Sequence, residues 1–483
     1  MEKTKSSGQF NQPANKMSSG LKRNEFEVFK NDDGEQELDR RKQFRKYVSS
    51  SMITMLLQGT YSVIDGLFVS NFVSSTALSA INVAWPIIAF ITAVGTGVGC
   101  GGAAIMSMKQ GAGDQEGAKR VRGNILYLLF VIGLFATVFF MALLTPLLKL
   151  MGAEGELLHE AEIYARVMIG GGLLQVFSCG LTPILRNDNR AVTAMHIMIG
   201  GLTVNSSLDL FSLAVLHAGI AGAAVASVTA QGFTTVCCLY ILRHKKEDPL
   251  IIKEIGFDRD IAKRILFTAI SPFGISLTPS FLILEQNVAC LHSGDPFAVG
   301  SYALIGSTVG SYRILLIGVA EGMQPLASFA HGAHDADGLR WIRRHAIGTA
   351  YAISLALFFF TMLTAVVYPL MFGYSGEAAT QAIHAVQFTA AQLIFTGMVR
   401  VTNSFFYAVG KDIYSMIMIY LDPVLLTPLL LVIFPHFLGT DGIWITPCVA
   451  QFILNIIAVV MFVKHDRTLE KPVNYYCLGR ISS

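Results

Sequence analysis

The chain has 483 residues, of which 53% are hydrophobic and only 14% charged, against roughly 25% charged in soluble domains. Apolar blocks long enough to cross a hydrocarbon layer about 30 Å thick recur along nearly its whole length, without the alternation a β-barrel needs. The net charge of +3 says little about partners, and the seven cysteines, irregularly spaced and without histidine partners, fit neither a disulfide framework nor a zinc site.

The first element is polar. Residues 8–43 are mixed in charge and poor in aliphatics, the composition of a disordered tail. Twelve spans are then expected, at about 47–72, 80–108, 123–148, 163–183, 191–216, 218–242, 265–291, 297–329, 346–372, 381–409, 413–435 and 443–463. Their connections alternate in charge. Arg40, Arg41, Lys42, Arg45 and Lys46 precede the first span; Lys109, Lys119, Arg120 and Arg122 fill the second loop; Arg243, Lys245, Lys246, Arg259, Lys263 and Arg264 fill the sixth. The odd-numbered loops carry almost no cations, apart from Lys149 among Glu154, Glu156, Glu160 and Glu162. The positive-inside rule then places both termini in the cytoplasm.

The long sixth loop falls at the midpoint. G-A-G-D-Q-E-G at 111–117 recurs as G-A-H-D-A-D-G at 332–338, and Arg190 falls on Lys411 at the same offset. Two six-helix units of like orientation are expected, related by an axis along the membrane normal. The divisions are a cytoplasmic tail at 1–46, an N-lobe at 47–242, a linker at 243–264, a C-lobe at 265–463 and a second cytoplasmic tail at 464–483. The fold class is an all-α polytopic membrane protein.

Ionisable residues inside a membrane default to function. Asp65 on span one, Asp209 on span five, Ser227 on span six and Glu285 on span seven all lie roughly 10 Å below the outer surface at 1.5 Å rise per residue. Asn205 sits one turn deeper than Asp209 on a small, polar stripe that also holds Met198. Tyr61 and Gln58 share the face of Asp65. Two carboxylates, an amide and a hydroxyl at one depth suit a hard cation such as Na+, or a shared proton. In the second half, Glu321, Arg400 and Asp422 fall at a common depth nearer the cytoplasm and are read as a buried ion-pair network or an inside gate. Arg313, mid-membrane in span eight, is expected to seek Glu285. The glycines of G-T-G-V-G-C-G-G-A at 95–103 lie inside a span and are read as close helix packing, not a phosphate loop.

These motifs resemble the multidrug and toxic compound extrusion (MATE) transporters over about 47–463. The resemblance rests on I-D-G-L-F-V-S at 64–70, the two G-A-x-D loops, L-R-N-D-N-R at 185–190, N-S-S-L-D at 205–209, G-I-A-G-A-A-V-A-S at 219–227 and G-V-A-E-G-M-Q-P at 318–325. It implies two six-helix lobes exporting organic, often cationic, drug-like compounds in exchange for H+ or Na+, with no other cofactor. The family's N-lobe ion ligands, carried over, are Asp65, Asn205, Asp209 and Ser227, and Na+ is the metal they would take. Two departures stand out: Ser50 or a neighbour replaces a proline near the start of helix one, and Leu210 replaces a proline after the helix-five aspartate. Glu285 matches no pattern of the family.

The expected protein is therefore a secondary active efflux antiporter, not an enzyme, in the plasma (bacterial inner) membrane. Its partners are a small organic substrate and the lipid bilayer, with no nucleic acid, and it is expected to function as a monomer. The alternative is a related transporter of a lipid-linked sugar or an endogenous metabolite. An enzyme of the membrane would show a constellation such as H-E-x-x-H, and none is present. For topology, alkaline phosphatase joined after Glu154 is expected to be active and joined after Lys245 inactive; the reverse pattern would overturn the orientation.

Overall fold

The structure, a computed structural model, describes residues 33–245, 248–251, 254–371 and 374–469, with the side chains of 33–36, 61–72, 75, 307, 371, 468 and 469 outside that description. The chain falls into two units, residues 1–43 and 44–483. Seventeen α-helices are described: α1 Asp33–Phe72, α2 Ser75–Gly111, α3 Gln115–Leu150, α4 Gly155–Gly170, α5 Gly172–Asn187, α6 Ala191–Leu210, α7 Gly219–Arg243, α8 Arg259–His292, α9 Ala298–Ile305, α10 Ser311–Gly332, α11 Ala336–Thr364, α12 Val367–Met371, α13 Gly376–Ala390, α14 Gln392–Ala408, α15 Asp412–Leu421, α16 Thr427–Leu438 and α17 Thr440–Leu469. Short π-helical segments follow α6 (Phe211–Val215), α9 (Gly306–Gly310) and α15 (Asp422–Leu426).

Among the described residues, 10 helices are long and apolar enough to cross a membrane, and α4 with α5, bent by 55°, makes up to 11. The expected first span lies on α1, part of whose side chains fall outside the description. That helix begins at Asp33, so residues 33–43, expected to be disordered, are helical. The physical reason is local: the stretch is rich in helix formers, and Glu37 accepts from Arg41 one turn on at 2.6 Å.

The repeated loops show why their residues recur. Asp114 caps α3 by accepting from the Gly117 N–H at 2.8 Å, and Asp335 caps α11 by accepting from Gly338 at 2.8 Å. Ser, Thr, Asp and Asn caps of this kind hold the otherwise unpaired first-turn donors. A Cβ on Gly117 or Gly338 would collide with the capping carboxylate in each copy. The residue before each aspartate is in the left-handed region, Gly113 at φ 79° and His334 at φ 57°. At the basic-end turns after α5 and α14, Asn189 and Gly410 share that conformation, at φ 61° and 67°. Lys109 and the Gly117 N–H together hold the Asp114 carboxyl below its ordinary pKa.

We take the first half as Phe44 through α7 and the second as α8 through α17. One buried apolar cluster runs from Ala77 to Ile265 and another from Cys290 to Trp444. The halves meet through glycines, and the contact is reciprocal. Gly101 of α2 lies against Ala269 of α8, where a Cβ would sit 2.7 Å from the backbone nitrogen; Gly322 of α10 lies against Val48 of α1, where it would sit 2.6 Å from Cα. Gly97 meets Phe273 at 3.0 Å and Gly318 meets Met52 at 2.8 Å. Gly111 abuts the Phe329 carbonyl and Gly332 the Met108 carbonyl, both too closely for any side chain. Each pair maps onto its counterpart by the offset of the loop repeat, the signature of a pseudo-two-fold axis. Of the remaining glycines of the 95–103 run, Gly95 abuts Val176 and Gly99 abuts Gly180, both of α5, while Gly102 meets Ile125 of α3. The run therefore packs one continuous helix against three neighbours.

Gly332→Val is expected to destabilise the folded protein by about 1–3 kcal/mol through overpacking. Gly348→Ala, which points into open space, should be neutral or stabilise by up to about 1 kcal/mol. Thermal unfolding in detergent reads both, and equal shifts for the two would contradict the glycine contact.

Candidate functional site

On α6, Asn205 Nδ2 donates to Asp209 Oδ2 at 2.7 Å, and both residues are buried. Asp209 is 0% exposed while its neighbours Leu210 and Phe211 are 48% and 50% exposed, so the helix presents apolar side chains outward and turns the carboxylate inward. Helix α7 packs antiparallel on α6. A Cβ on Gly201 would meet Thr234 Oγ1 at 2.5 Å, and one on Gly222 would meet Ser212 at 3.1 Å. These two contacts fix the register: Asn205 stands level with Ala230, and Asp209 level with Ala226, one residue from the half-buried Ser227. Small residues on α7 are what let the two backbones approach here. Met198, two turns deeper than Asn205, is half-buried and Gln58 is exposed. Asp65 and Tyr61 lie outside the described side chains.

The second half departs from the expected grouping. Glu321 does not pair with Arg400 or Asp422. It accepts from Arg186 of α5, across the boundary between the halves. Beside it, Asn187 Nδ2 donates to Gln324 Oε1 at 3.0 Å and Gln324 Nε2 donates back to Asn187 Oδ1 at 3.2 Å. Ser107 adds a bond to the Pro325 carbonyl at 3.1 Å. Arg186 thus comes from the opposite half to meet it. The spans expected at 163–183 and 191–216 leave Arg186 in the basic connection between them. The available signal was that L-R-N-D-N-R and E-G-M-Q-P both set an ionisable residue and an amide at the basic end.

Asp422 opens the π-helical segment after α15 and is held by neutral donors: Thr427 Oγ1 at 2.7 Å and Gln451 Nε2 at 2.7 Å. Arg313 and Arg400 are the cations whose fields reach it, but among the described residues neither comes within 4.0 Å of a carboxylate. The expected Arg313–Glu285 pair is likewise not formed among the described residues. Glu285, half-buried on α8, has its Oε2 without a hydrogen-bond partner in the structure. Short π-helical turns interrupt these spans at 306–310 and 422–426, so the regular 3.6-residue period does not carry through them.

The basic end carries further ion pairs. Arg122 bridges Asp248 at 2.7 Å and Glu254 at 2.8 Å, Lys245 meets Asp188 at 2.8 Å, and Arg343 meets Asp466 at 2.6 Å. Among the described residues no group of three or more His, Cys, Asp or Glu is arranged to hold a metal ion. A cation site on α6 would therefore have to draw its remaining ligands from amides, hydroxyls or residues beyond the description.

Many apolar spans, two pseudo-symmetric halves and buried charges turned inward define a multi-pass membrane transporter. The chain belongs to the MatE family, the multidrug and toxic compound extrusion transporters, which it matches over residues 50–211 and 278–432. It is 24% identical over 429 residues to the multidrug export protein MepA of Staphylococcus saprophyticus, covering 87% of this chain and 93% of that one. MepA of Staphylococcus aureus is 23% identical over 404 residues, covering 81% and 87%. Among solved structures, a MOP superfamily transporter from Pyrococcus furiosus superposes with a TM-score of 0.85 at 26% identity, covering 90% of this chain and 97% of that one. A multidrug resistance MATE family transporter in an outward-facing conformation gives 0.84 at 25% identity, with coverage of 90% and 97%.

Removing either partner of Arg186–Glu321 strands a mostly buried charge. Arg186→Met and Glu321→Met should each cost about 3–5 kcal/mol, while the double variant should recover most of that loss. A double-mutant cycle on unfolding midpoints checks this; strictly additive losses would show that the pair is not coupled.

Proposed function

We propose that the protein is a cation-coupled efflux antiporter that exports organic, drug-like compounds, cationic ones among them, in exchange for H+ or Na+. The observation that carries this reading is the buried Asn205–Asp209 bond on a helix whose adjoining residues are exposed and apolar. A carboxylate kept in a low-dielectric interior, hydrogen-bonded to a neutral amide, is a site for a proton or a small hard cation. Asp65 and Ser227 complete it in this reading. Similarity to multidrug export proteins supports organic compounds as the cargo.

In this reading the basic end faces the cytoplasm, with both termini there, in a bacterial inner membrane. The Arg186–Glu321 and Asn187–Gln324 bonds hold the two halves together at that end, so substrate leaves toward the opposite side. Ion binding at Asp209 from outside favours substrate release. The halves then part at the basic end, the ion is discharged inward and new substrate enters. For an uncharged compound, the one ion moving inward across about 100 mV supplies roughly 2.3 kcal/mol, about a fiftyfold concentration ratio; for a monovalent cation the exchange is electroneutral and the ion's own concentration gradient drives it. The protein works as a monomer, each chain carrying its own ion and substrate sites.

Proteoliposomes loaded with a fluorescent organic cation, with Na+ and pH gradients imposed one at a time, test the scheme. One gradient should drive dye movement, and Asp209→Asn should slow it at least about tenfold. Undiminished gradient-driven movement by Asp209→Asn would remove this residue from the coupling site.

A further inference from the structure

A cleft of about 350 Å³ opens at the basic end, across the seam between the halves. Lys109 of α2 and Asp114, Glu116 and Arg120 around the start of α3 line it from the first half; Asp260 and Arg264 of α8 line it from the second. Three of these six charges are engaged: Lys109 meets Asp114 at 2.8 Å, and Glu116 meets Lys119 at 2.8 Å. The side chains of Arg120, Arg264 and Asp260 form no ion pair or hydrogen bond among the described residues, and all three are exposed. The field of Arg264 reaches Asp412 without a bond between them. Two cations and one anion are thus left lining one space.

The backbone does not require this gap. At the repeat offset Ala330 stands for Lys109, Trp341 for Arg120, His345 for Asn124 and Phe44 for Ile265. There Trp341 stacks on His345 with centroids 3.8 Å apart and meets Phe44 edge-on at 5.9 Å. One copy of the corner is closed by rings, while the other is open and charged.

Position limits what can occupy it. The expected spans end at 108 and resume at 123 and 265, so these charges stand just outside the hydrocarbon, at headgroup depth. Within two turns past Arg264, α8 carries the exposed Leu266, Phe267 and Ile270, and Phe267 shares the face of Arg264. The volume is at the small end of the roughly 300–1,000 Å³ typical of small-molecule sites, which suits a headgroup.

We infer that this cleft holds the headgroup of a phosphatidylethanolamine, with its phosphate between Arg120 and Arg264, its ammonium on Asp260 and its acyl chains along Leu266, Phe267 and Ile270. Guanidinium groups match phosphate oxygens with paired donors. Asp260 makes the choice among lipids. An ammonium can donate to it, a trimethylammonium cannot, and an anionic headgroup is repelled by it. Because its contacts come from both halves, the lipid ties α3 to α8 at their basic ends. The site is a binding property and does not depend on the export reading.

The test uses the purified full-length protein, delipidated in detergent, and phosphatidylethanolamine with a fluorophore on one acyl chain, read by anisotropy. Unlabelled phosphatidylethanolamine should displace it at concentrations at least about fivefold lower than phosphatidylcholine or phosphatidylglycerol. Arg120→Gln and Arg264→Gln should each weaken binding on the order of tenfold. Asp260→Asn should erase the preference over phosphatidylcholine while changing phosphatidylcholine binding by less than about twofold. Arg120→Trp, which imports the ring of the second half, should close the cleft and abolish binding. All these side chains are exposed, so unchanged thermal midpoints without added lipid certify the fold of each variant. Equal displacement by phosphatidylcholine, or affinity that none of the variants alters, would overturn the site. Soluble glycerophosphoethanolamine should compete only at far higher concentration; competition equal to that of the intact lipid would overturn a bilayer lipid as the occupant.

Discussion

The structure depends on a contact that leaves no room for a side chain. At six positions, Gly97, Gly101, Gly111, Gly318, Gly322 and Gly332, a helix of one half lies directly on backbone of the other. In a bilayer the hydrophobic effect does not press helices together, because lipid is as apolar as leucine. Close van der Waals approach must supply the cohesion, and only glycine permits it at these distances. Because the contact is reciprocal, both halves arrive at one surface in matching register. That places the L-R-N-D-N-R turn of one half against the Q-P segment of the other.

On this symmetric frame the chemistry is deliberately unequal. The first half keeps a neutral amide and a carboxylate together, Asn205 and Asp209, where the second has Leu426 and Leu430. The second half carries Arg400 and Asp422 where the first has Cys179 and Gly201. Equivalent backbones thus carry a carboxylate held by an amide in one half, and in the other a buried guanidinium and a carboxylate held by neutral donors. Two halves of unequal chemistry can be coupled through the single surface they share. Differential affinity of each ligand for the two arrangements of that surface is the only requirement.

Much of this was legible in the sequence, and for identifiable reasons. Twelve spans were expected from apolar length, and among the described residues ten helices, or eleven with the bent pair, are long and apolar enough to cross; the G-A-x-D repeat marked the two turns that Asp114 and Asp335 cap. The inward face of Asp209 could be read from the Gly201–Asn205–Asp209 spacing, and its burial agrees. What failed was pairing between helices. Glu321, Arg400 and Asp422 share a depth, but depth is one coordinate of three. The π-helical turn at Asp422 changes which way a side chain leaves the helix, and no residue pattern signals it. Arg186 was misjudged for a related reason: a basic residue near a loop serves topology equally well whether it faces water or a partner across the boundary. The helical start at Asp33 was hidden because polar composition alone does not distinguish a charged helix from a coil.

The lock at the basic end has no twin. The positions equivalent to Arg186 and Glu321 are Tyr407 and Cys100, and those equivalent to Asn187 and Gln324 are Ala408 and Ala103. The side chains at the pseudo-symmetric positions, Tyr407 and Cys100, are close enough to the pair for its charges to act on them. The fastening between the halves is thus single rather than doubled by the symmetry, so one substitution removes it, where a symmetric seam would need two.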